Sequence, residues 1–338
     1  MYKALIINLL VLFLSFTLLA QDDSIPKTGL AQVSFFYPVG SNGVKSYEKS
    51  NHFSLNIIYG VNGGVKGTEV GSVCNINKGN VAGVQVAGAA NVNKGNSSGS
   101  IVAGVSNINS GSFAGSMIAG VLNFANLKSK GVQVATINLV TDSLQGAQIG
   151  VINYAKQLKG VQVGVLNLGG SCDDCIPIGL INIFKNGFHA FEITTGELIY
   201  ANLQYKVGVE KFYNIFKVGL FPFQDKMHFT YGFGFGSFFK LNDRHGFSAD
   251  LTSNAILFDG KWESDLNLLN KMDLNYRLNL SNHVSFVAGP TFNVYLTKEI
   301  IDGQYGTIDI PYSLYDHQWR RGKLSGWIGF NAGISFVL

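Results

Sequence analysis

The chain has 338 residues, among them 41 glycines, 25 phenylalanines and 14 tyrosines, and only 14% of its side chains are charged. Few charges together with many glycines and aromatic residues are typical of a β-rich protein whose surface is partly withdrawn from water. The formal net charge of +4 is spread thinly along the sequence, without a cluster of basic and aromatic residues. The composition therefore excludes nucleic acid as an implied partner.

The first twenty residues have the pattern of a secretory signal peptide. Lys3 provides a short positive region, residues 4–19 form an apolar run, and the polar mature chain begins at Gln21. An uncleaved membrane anchor is the alternative, although the run is short for a spanning helix. After residue 20 the sequence has no further apolar run of about 18 residues. A mature chain placed in a membrane would therefore have to enter it as a β-barrel.

Residues 21–66 are expected to form lead-in strands. Between His52 and Tyr59, apolar residues alternate with polar ones. This period of two is the pattern of a half-buried β-strand.

A short phrase recurs through residues 67–187 and dominates the chain. Each copy begins with glycine, continues with β-branched residues and ends with asparagine, as in Gly83-Val-Gln-Val-Ala-Gly-Ala-Ala-Asn91. The closing asparagines, which step by 16, 16, 16, 15, 15, 14 and 15 residues, are Asn75, Asn91, Asn107, Asn123, Asn138, Asn153, Asn167 and Asn182. A fixed period of this kind marks a repeat architecture, and the frequency of glycine disfavours helix.

Two β arrangements fit these repeats. In a β-solenoid each period is one coil, and the asparagines stack into a hydrogen-bonded ladder at a corner. In an antiparallel array each period adds a strand and a turn to a barrel wall. Early repeats carry an Ala-Gly pair, such as Ala87-Gly88, where later ones carry Gly150 alone. An insertion within a strand would flip every later side chain, so we prefer the solenoid, although a β-bulge could absorb the extra residue.

Residues 188–338 predict an antiparallel β-barrel of about eight strands. The expected strands are 188–198, 199–211, 213–222, 227–240, 246–258, 268–281, 283–297 and 325–338. Strands of this length with one continuous apolar face suit a lipid-facing barrel wall, and short and long links alternate as in outer-membrane barrels. A soluble β-domain is the alternative. An eight-stranded barrel is filled by its own side chains, whereas a wider barrel that included the repeats could enclose a channel.

Several phrases resemble those of a known family. The repeats Gly83-Val-Gln-Val-Ala-Gly88 and Gly160-Val-Gln-Val-Gly-Val-Leu-Asn167 are similar to those of surface-repeat proteins exported by Bacteroidota and spirochaetes. The segments Phe212-Tyr-Asn-Ile-Phe216, Leu268-Leu-Asn270, Ala288-Gly-Pro-Thr-Phe-Asn293 and Trp327-Ile-Gly-Phe-Asn-Ala-Gly-Ile334 resemble a Bacteroidota subgroup in which repeats precede a barrel-like domain. The resemblance implies a location in the cell envelope, and it supplies no catalytic residues.

The Cys172-Asp-Asp-Cys175 motif interrupts the last repeats. In an exported protein, two cysteines at this spacing predict a small loop-closing disulfide. Metal capture by the two thiolates with Asp173 and Asp174 is the alternative.

The sequence predicts neither a cofactor nor an enzymatic activity. Its six histidines share no metal-ligand spacing, and no common catalytic or phosphate-binding motif appears. A hydrolase of envelope lipids is the enzymatic alternative, because His283 and Ser285 share one strand face.

Two further sets of side chains are candidate functional residues. Charged residues at inward positions of the barrel predict a paired lumen network, since buried charges must be matched; a transport pathway is the alternative. The members of this predicted network are Lys206, Glu210, Asp250, Asp273 and Arg277.

The long link 298–324 predicts an external recognition surface because Tyr, Trp and Arg are favoured at interfaces, although an aromatic girdle explains some of them equally well. Its candidate residues are Tyr305, Tyr312, Tyr315, Trp319, Arg320 and Arg321.

These patterns together predict an all-β, non-enzymatic protein of the bacterial outer membrane with a structural or binding role. The expected domains are a signal peptide at 1–20, lead-in strands at 21–66, repeats at 67–187 and a barrel at 188–338. Outer-membrane lipid is the expected partner, with room for an unidentified surface or periplasmic one. A channel or transport component is the alternative function, and a secreted or periplasmic protein is the alternative location.

Overall fold

The computed structural model describes residues 27–223, 226–257, 266–301, 303–306, 308, 310 and 312–338. The predicted signal peptide and the link 258–265 lie outside the described residues. The described part consists almost entirely of β-strands, with one 3₁₀ helix at Gly43–Glu48. The all-β prediction is therefore confirmed.

The first fourteen strands build the repeat region and the segment before it. These strands are β1 (Lys27–Phe36), β2 (Val39–Gly40), β3 (Lys49–Asn62), β4 (Gly64–Gly71), β5 (Cys74–Asn77), β6 (Val81–Ala87), β7 (Ala90–Asn93), β8 (Ser97–Ala103), β9 (Ser106–Asn109), β10 (Phe113–Ala119), β11 (Leu122–Ala125), β12 (Ser129–Val134), β13 (Ile137–Ile149) and β14 (Ile152–Phe184). Equivalent residues of successive periods pair in parallel, as Gly83 pairs with Gly67 and with Gly99. The result is a solenoid of about eight turns, and the antiparallel alternative for the repeats is wrong.

Each coil has two strands that meet at two opposite edges. In the coil 81–96, the longer strand β6 leads through a bend at Gly88 and Ala89 into the shorter strand β7, and a turn at 94–96 leads to the next coil. The bend edge is the stack of residues Ile58, Val73, Ala89, Val105, Val121, Thr136, Val151 and Val165. The turn edge consists of the turns between successive coils and the residues next to them. Its lysines are Lys66, Lys78, Lys94, Lys128, Lys130, Lys156 and Lys159.

The predicted lead-in strands belong to the solenoid. Strand β1 pairs in parallel with β3, and β3 pairs in parallel with both β4 and β5. The coils therefore begin before the first recognisable repeat. The alternation predicted in β3 is present, with Phe53 and Leu55 exposed and with Ser54 and Asn56 buried.

The solenoid as a whole has a largely polar interior and an apolar exterior. One outward column, paired residue to residue, is aliphatic throughout and consists of Val33, Leu55, Val70, Val86, Val102, Ile118, Val134, Ile149 and Val163. The inward positions hold the repeat asparagines and a column that contains Glu69, Gln85, Gln133, Gln148 and Gln162, all completely buried. The interior becomes apolar in two places, in the middle coils around Ile101, Phe113 and Met117 and near the barrel around Val140, Leu158 and Phe184.

The remaining strands form the predicted barrel. They are β15 (Phe188–Gly196), β16 (Ala201–Val209), β17 (Phe212–Phe223), β18 (Lys226–Lys240), β19 (His245–Leu257), β20 (Asn267–Asn279), β21 (Val284–Thr297), β22 (Ile300–Ile301), β23 (Gln304–Tyr305), β24 (Tyr315–Trp319) and β25 (Gly322–Val337). Eight of them pair antiparallel in a ring that closes between β15 and β25, while β22 to β24 belong to the long link. The eight-stranded antiparallel barrel is confirmed.

The solenoid ends against the outer wall of the barrel. Outward positions of β16 and β17 alternate with inward ones, and Val207, Val209 and Asn214 occupy outward positions at the turn between these strands. All three side chains are nevertheless buried, because the last coil covers them. Val209 joins the apolar cluster at the end of the solenoid, so the two parts share one packed interface.

A glycine column sets how closely the coils can stack. Gly99 and Gly115 have φ angles of 108° and 135°, which L side chains rarely adopt. A Cβ on Gly115 would lie 2.0 Å from the carbonyl oxygen of Gly99. We predict that Gly115→Ala lowers the free energy of unfolding of the solenoid by at least about 2 kcal/mol.

The matched control for this variant is Ser116→Ala, because the same column holds Ala147 two coils later. Amide hydrogen exchange in the solenoid, measured by mass spectrometry, compares the two proteins. Equal protection of the coils in both variants would contradict the proposed steric limit.

Candidate functional site

The barrel interior contains a cluster of buried charges at its centre. The Lys206 Nζ lies 2.7 Å from Glu192 Oε2 and 2.6 Å from Asp250 Oδ2. The Tyr213 hydroxyl donates a 2.5 Å hydrogen bond to Asp250 Oδ1, and Arg277 donates to Glu192 Oε1. Two cations therefore face two carboxylates, which is the matching that buried charges require.

Aromatic rings cover the guanidinium group of Arg277 towards the turn end of the barrel. Its central carbon lies 5.6 Å from the ring centroid of Phe188 and 5.1 Å from that of Phe238. These distances are within the range of cation–π attraction. The rings thus hold the cation in place and separate the charge cluster from solvent at that end.

A second, looser group lies beside the first. Asp273 stands between two lysines, with 3.8 Å to Lys217 Nζ and 3.9 Å to Lys271 Nζ. All three side chains are buried. These distances are too long for direct hydrogen bonds, so the attraction here is electrostatic.

Apolar clusters fill the interior on both sides of the charges. Phe188, Tyr213, Ile215 and Phe238 pack together at the turn end. At the loop end a larger cluster contains Ile199, Phe221, Ile256, Leu269, Tyr295 and Trp327. The lumen is therefore packed with side chains, as expected for an eight-stranded barrel.

Four of the five predicted network residues lie in this interior, and Glu210 does not. Lys206, Asp250, Asp273 and Arg277 are buried there, whereas Glu210 is exposed in the turn between β16 and β17. Its placement in the network was wrong because β16 ends one residue earlier, at Val209.

Sequence reasoning missed further members of the network, namely Glu192, Tyr213, Lys217 and Lys271. The alternation in the sequence could have assigned these four residues to the barrel interior, because each is flanked on both sides by outward-facing residues.

The solenoid interior holds a continuous ladder of asparagine amides. Each Nδ2 donates to the Oδ1 of the asparagine one coil closer to the barrel, at 2.7 to 3.0 Å. The ladder runs through Asn56, Asn75, Asn91, Asn107, Asn123, Asn138, Asn153, Asn167 and Asn182. Its last bond, 2.8 Å long, reaches Asn214 in the barrel wall. The corner ladder that the sequence predicts is therefore present, and it crosses from one part of the protein into the other.

Glu69 accepts four amide hydrogen bonds inside the early coils. Asn56 and Asn62 donate to its Oε1 at 3.0 and 2.7 Å, and Asn77 and Gln85 donate to its Oε2 at 2.7 and 2.8 Å. Burial raises the pKa of the Glu69 carboxyl, and the four donors oppose this rise in part. The site is thus a polar junction with no cation among its hydrogen-bonding partners.

The predicted recognition residues lie in the described parts of the long link at the loop end. Tyr312, Tyr315, Arg320 and Arg321 are exposed, whereas Tyr305 and Trp319 are half-buried. The Tyr305 hydroxyl donates to the carbonyl oxygen of Arg320 at 3.2 Å. Residues 302, 307, 309 and 311 of this link lie outside the described residues.

The cysteines have separate environments. Cys172 and Cys175 are joined in a disulfide at the last coil, and the adjoining Asp174 pairs with Lys211 of the barrel turn. Cys74 is a free cysteine on the solenoid, and burial raises the pKa of its thiol to about 11. A thiol with this pKa is largely unreactive at neutral pH.

Within the described residues, no group of three or more His, Cys, Asp and Glu side chains could hold a metal ion. No α-helix in the same part of the chain is long and apolar enough to cross a membrane.

Comparison with protein-family models, with curated proteins and with solved structures finds no match. The resemblance to exported surface-repeat proteins therefore stays a prediction.

We predict that Lys206→Met destabilises the barrel by about 3–5 kcal/mol, because the change leaves the buried Asp250 carboxylate without its cation, while Glu192 keeps Arg277. Urea unfolding in detergent micelles, followed by tryptophan fluorescence, to which the buried Trp327 contributes, measures the effect. The control is Glu210→Gln, which is expected to change the stability by less than about 0.5 kcal/mol. Similar losses in both variants would contradict the central role of Lys206.

A second prediction concerns the pH dependence of the solenoid. Because burial raises the pKa of Glu69, the folded chain binds this proton more tightly than the unfolded chain. Stability is therefore lost as the pH rises above the ordinary glutamate value of about 4.3, by up to about 1.4 kcal/mol per pH unit until the folded pKa is passed.

Glu69→Gln removes this contribution, and Gln85 shows that glutamine fits the same position one coil later. Urea unfolding followed by circular dichroism, from about pH 5 to about pH 8, compares the two proteins. We expect the unfolding midpoint of the natural protein to fall more steeply than that of the variant. Equal slopes would show that Glu69 does not titrate in this range.

Proposed function

We propose that this chain is an integral outer-membrane protein, in which a closed barrel anchors a β-solenoid to the envelope. Its role is structural or binding, without catalysis. The solenoid offers a long repetitive surface, and the loop end offers exposed Tyr and Arg side chains, such as Tyr312 and Arg320.

The distribution of polarity across the barrel wall carries this proposal. Outward side chains in the middle of the wall are large, apolar and exposed, with 48% exposure for Leu203, 60% for Leu251 and 52% for Phe330. Inward side chains at the same level include Lys206 and Asp250. A barrel in water would have the opposite arrangement, since a continuous apolar surface of this size is unfavourable there. In lipid the arrangement is the expected one.

The links between the strands support one orientation. The turns 210–211, 241–244 and 280–283 are short and lie at one end with the chain terminus. The long links 258–265 and 298–321 join strands at the other end, together with the shorter links 197–200 and 224–225. In outer-membrane barrels, short turns face the periplasm and long loops face outward. In this proposal the solenoid therefore joins the barrel near its periplasmic end, and the predicted recognition residues face outward.

In the described part of the chain, the lumen is filled with side chains and leaves no open path for a solute, which argues against the channel alternative. Phe188 and Phe238 cover the charge cluster at the turn end, and Trp327 and Tyr295 lie in the apolar cluster at the loop end. The repeats form a separate solenoid and do not widen the wall. The anchor function is thus better supported than a transport function.

Two leucines of nearly equal exposure test the membrane location. Leu251 lies in the middle of β19 and is 60% exposed, whereas Leu280 lies in the turn after β20 and is 63% exposed. In lipid, Leu251→Arg is expected to cost about 2–4 kcal/mol because the charge enters the hydrocarbon, and Leu280→Arg less than about 1 kcal/mol.

The measurement is the fraction of protein that folds into lipid vesicles, read from heat-modifiable electrophoretic mobility along a urea gradient. If both variants fold as well as the natural protein, the wall does not contact lipid and the proposal fails.

A further inference from the structure

We propose that the solenoid is itself embedded in the membrane. It lies along the plane of the bilayer, with its bend edge in the hydrocarbon and its turn edge at the water interface. This inference rests on the proposed membrane location of the barrel, and it assigns to the solenoid a lipid-binding surface of its own.

The bend edge is apolar at seven of its eight positions. Val73, Val105, Val121, Val151 and Val165 are each 46 to 49% exposed. Successive valines of this stack are one or two coils apart. Where they are two coils apart, the coil between them has Ala89 or Thr136 at this position. No charged residue occupies this stack or the adjoining outward column that begins at Val33. Contiguous apolar surface of this extent marks an interaction site.

The turn edge has the opposite character. Its residues are mainly lysines, asparagines, serines and glycines, with Leu127 as an exposed apolar exception and Asp142 as an acidic one. Lys78, Lys128, Lys130 and Lys156 are exposed there. The coil is thus amphipathic from edge to edge. Lysine beside an apolar surface suits the boundary between hydrocarbon and lipid head groups, where its charge remains hydrated.

The way the solenoid joins the barrel fixes the direction of its axis. The amide ladder runs along the stack of coils and ends on Asn214. Asn214 occupies an outward position of β17, in line with the exposed Phe216 and Val218. The stack therefore meets the side of the barrel and not its open end. A barrel that spans the bilayer would then hold the solenoid alongside it, within the layer of lipid.

Two contacts show which edge faces the middle of the bilayer. At the turn edge of the last coil, Asp174 pairs with Lys211, which lies in the turn of the barrel. Nearer the bend edge, Gly179 accepts a 2.9 Å hydrogen bond from Asn214, three residues further along the wall. The direction from turn edge to bend edge is thus the direction from the end of the barrel towards its apolar middle. The polar turn edge of the coil thus lies beside the polar end of the barrel, and the apolar bend edge lies towards the apolar middle of the wall.

The dimensions and the hydrogen bonding of the coils suit this position. A seven-residue strand such as β6 extends over about 23 Å, and the hydrocarbon core is about 30 Å thick, so the bend edge lies well inside the core. Lipid requires that backbone groups be satisfied within the protein. Parallel pairing between successive coils meets that requirement from β3 to β14.

Fluorescence quenching in vesicles tests the inference on the full chain. Cys74 is first replaced by alanine, the residue at the equivalent position Ala90. Single cysteines are then introduced as Val121→Cys at the bend edge, Ser110→Cys at the turn edge and Leu251→Cys on the barrel wall, and each is labelled with an environment-sensitive fluorophore. Lipids that carry a quencher on the acyl chain and a water-soluble quencher are applied in turn.

We expect the acyl-chain quencher to remove as much fluorescence at position 121 as at position 251, and the aqueous quencher to act at position 110 alone. Quenching by the lipid at 251 and by water at 121 would overturn the inference and leave the membrane barrel in place. Protection of 121 from both quenchers would mean that a second copy of the chain covers the bend edge, which also overturns it. Exposure of 251 to water would defeat the proposed function together with the inference.

Discussion

The buried amide ladder is the interaction on which the rest of this structure depends. An asparagine amide that leaves water must find both a donor and an acceptor, and an unpaired one costs about 1–3 kcal/mol. Identical residues stacked in register satisfy each other, as Asn107 does with Asn91 and Asn123. A slip of one residue would break every bond of the ladder at once. The ladder therefore fixes the register in which successive coils pair in parallel.

The same constraint explains the exterior. With amides and Glu69 assigned to the interior, the alternating positions that remain are the β-branched ones, and the pleat directs them outward. The barrel has the same inverted arrangement, with Lys206 and Asp250 inside and Leu251 outside. Two different architectures in one chain thus expose apolar surface and bury polar groups. A common environment for both accounts for this coincidence more simply than two separate explanations, and Asn214 joins their polar interiors directly.

Much of the fold was predictable because periodicity survives in a single sequence. The asparagine spacing indicated coils, and strict alternation indicated the eight barrel strands with bounds close to those observed. The buried face was harder to infer in β3. Alternation of apolar and polar residues shows that a strand has two different faces, but it does not show which face is buried, and in β3 Asn56 rather than Leu55 points inward. Glu210 was misplaced by one residue at a strand end. Glu192 was missed because its partner Arg277 lies on a strand far away in sequence, which ring closure between β15 and β25 brings near. Lys271 was missed although its partner Asp273 lies two residues away on the same strand.

The two ends of the solenoid interior differ in character, and this difference has a structural consequence. Near the barrel, Val140, Leu158 and Phe184 pack with Val209 of the wall in an apolar cluster. In the early coils the buried residues are mainly amides around the Glu69 carboxyl. In a linear array each coil is stabilised only by its neighbours, and hydrogen-bonded amides contribute less net free energy than apolar burial. The apolar cluster at the wall therefore gives the coils that touch the barrel a stabilising contact that the first coils lack, and folding that begins at the wall would give each later coil a finished ladder of amides on which to assemble.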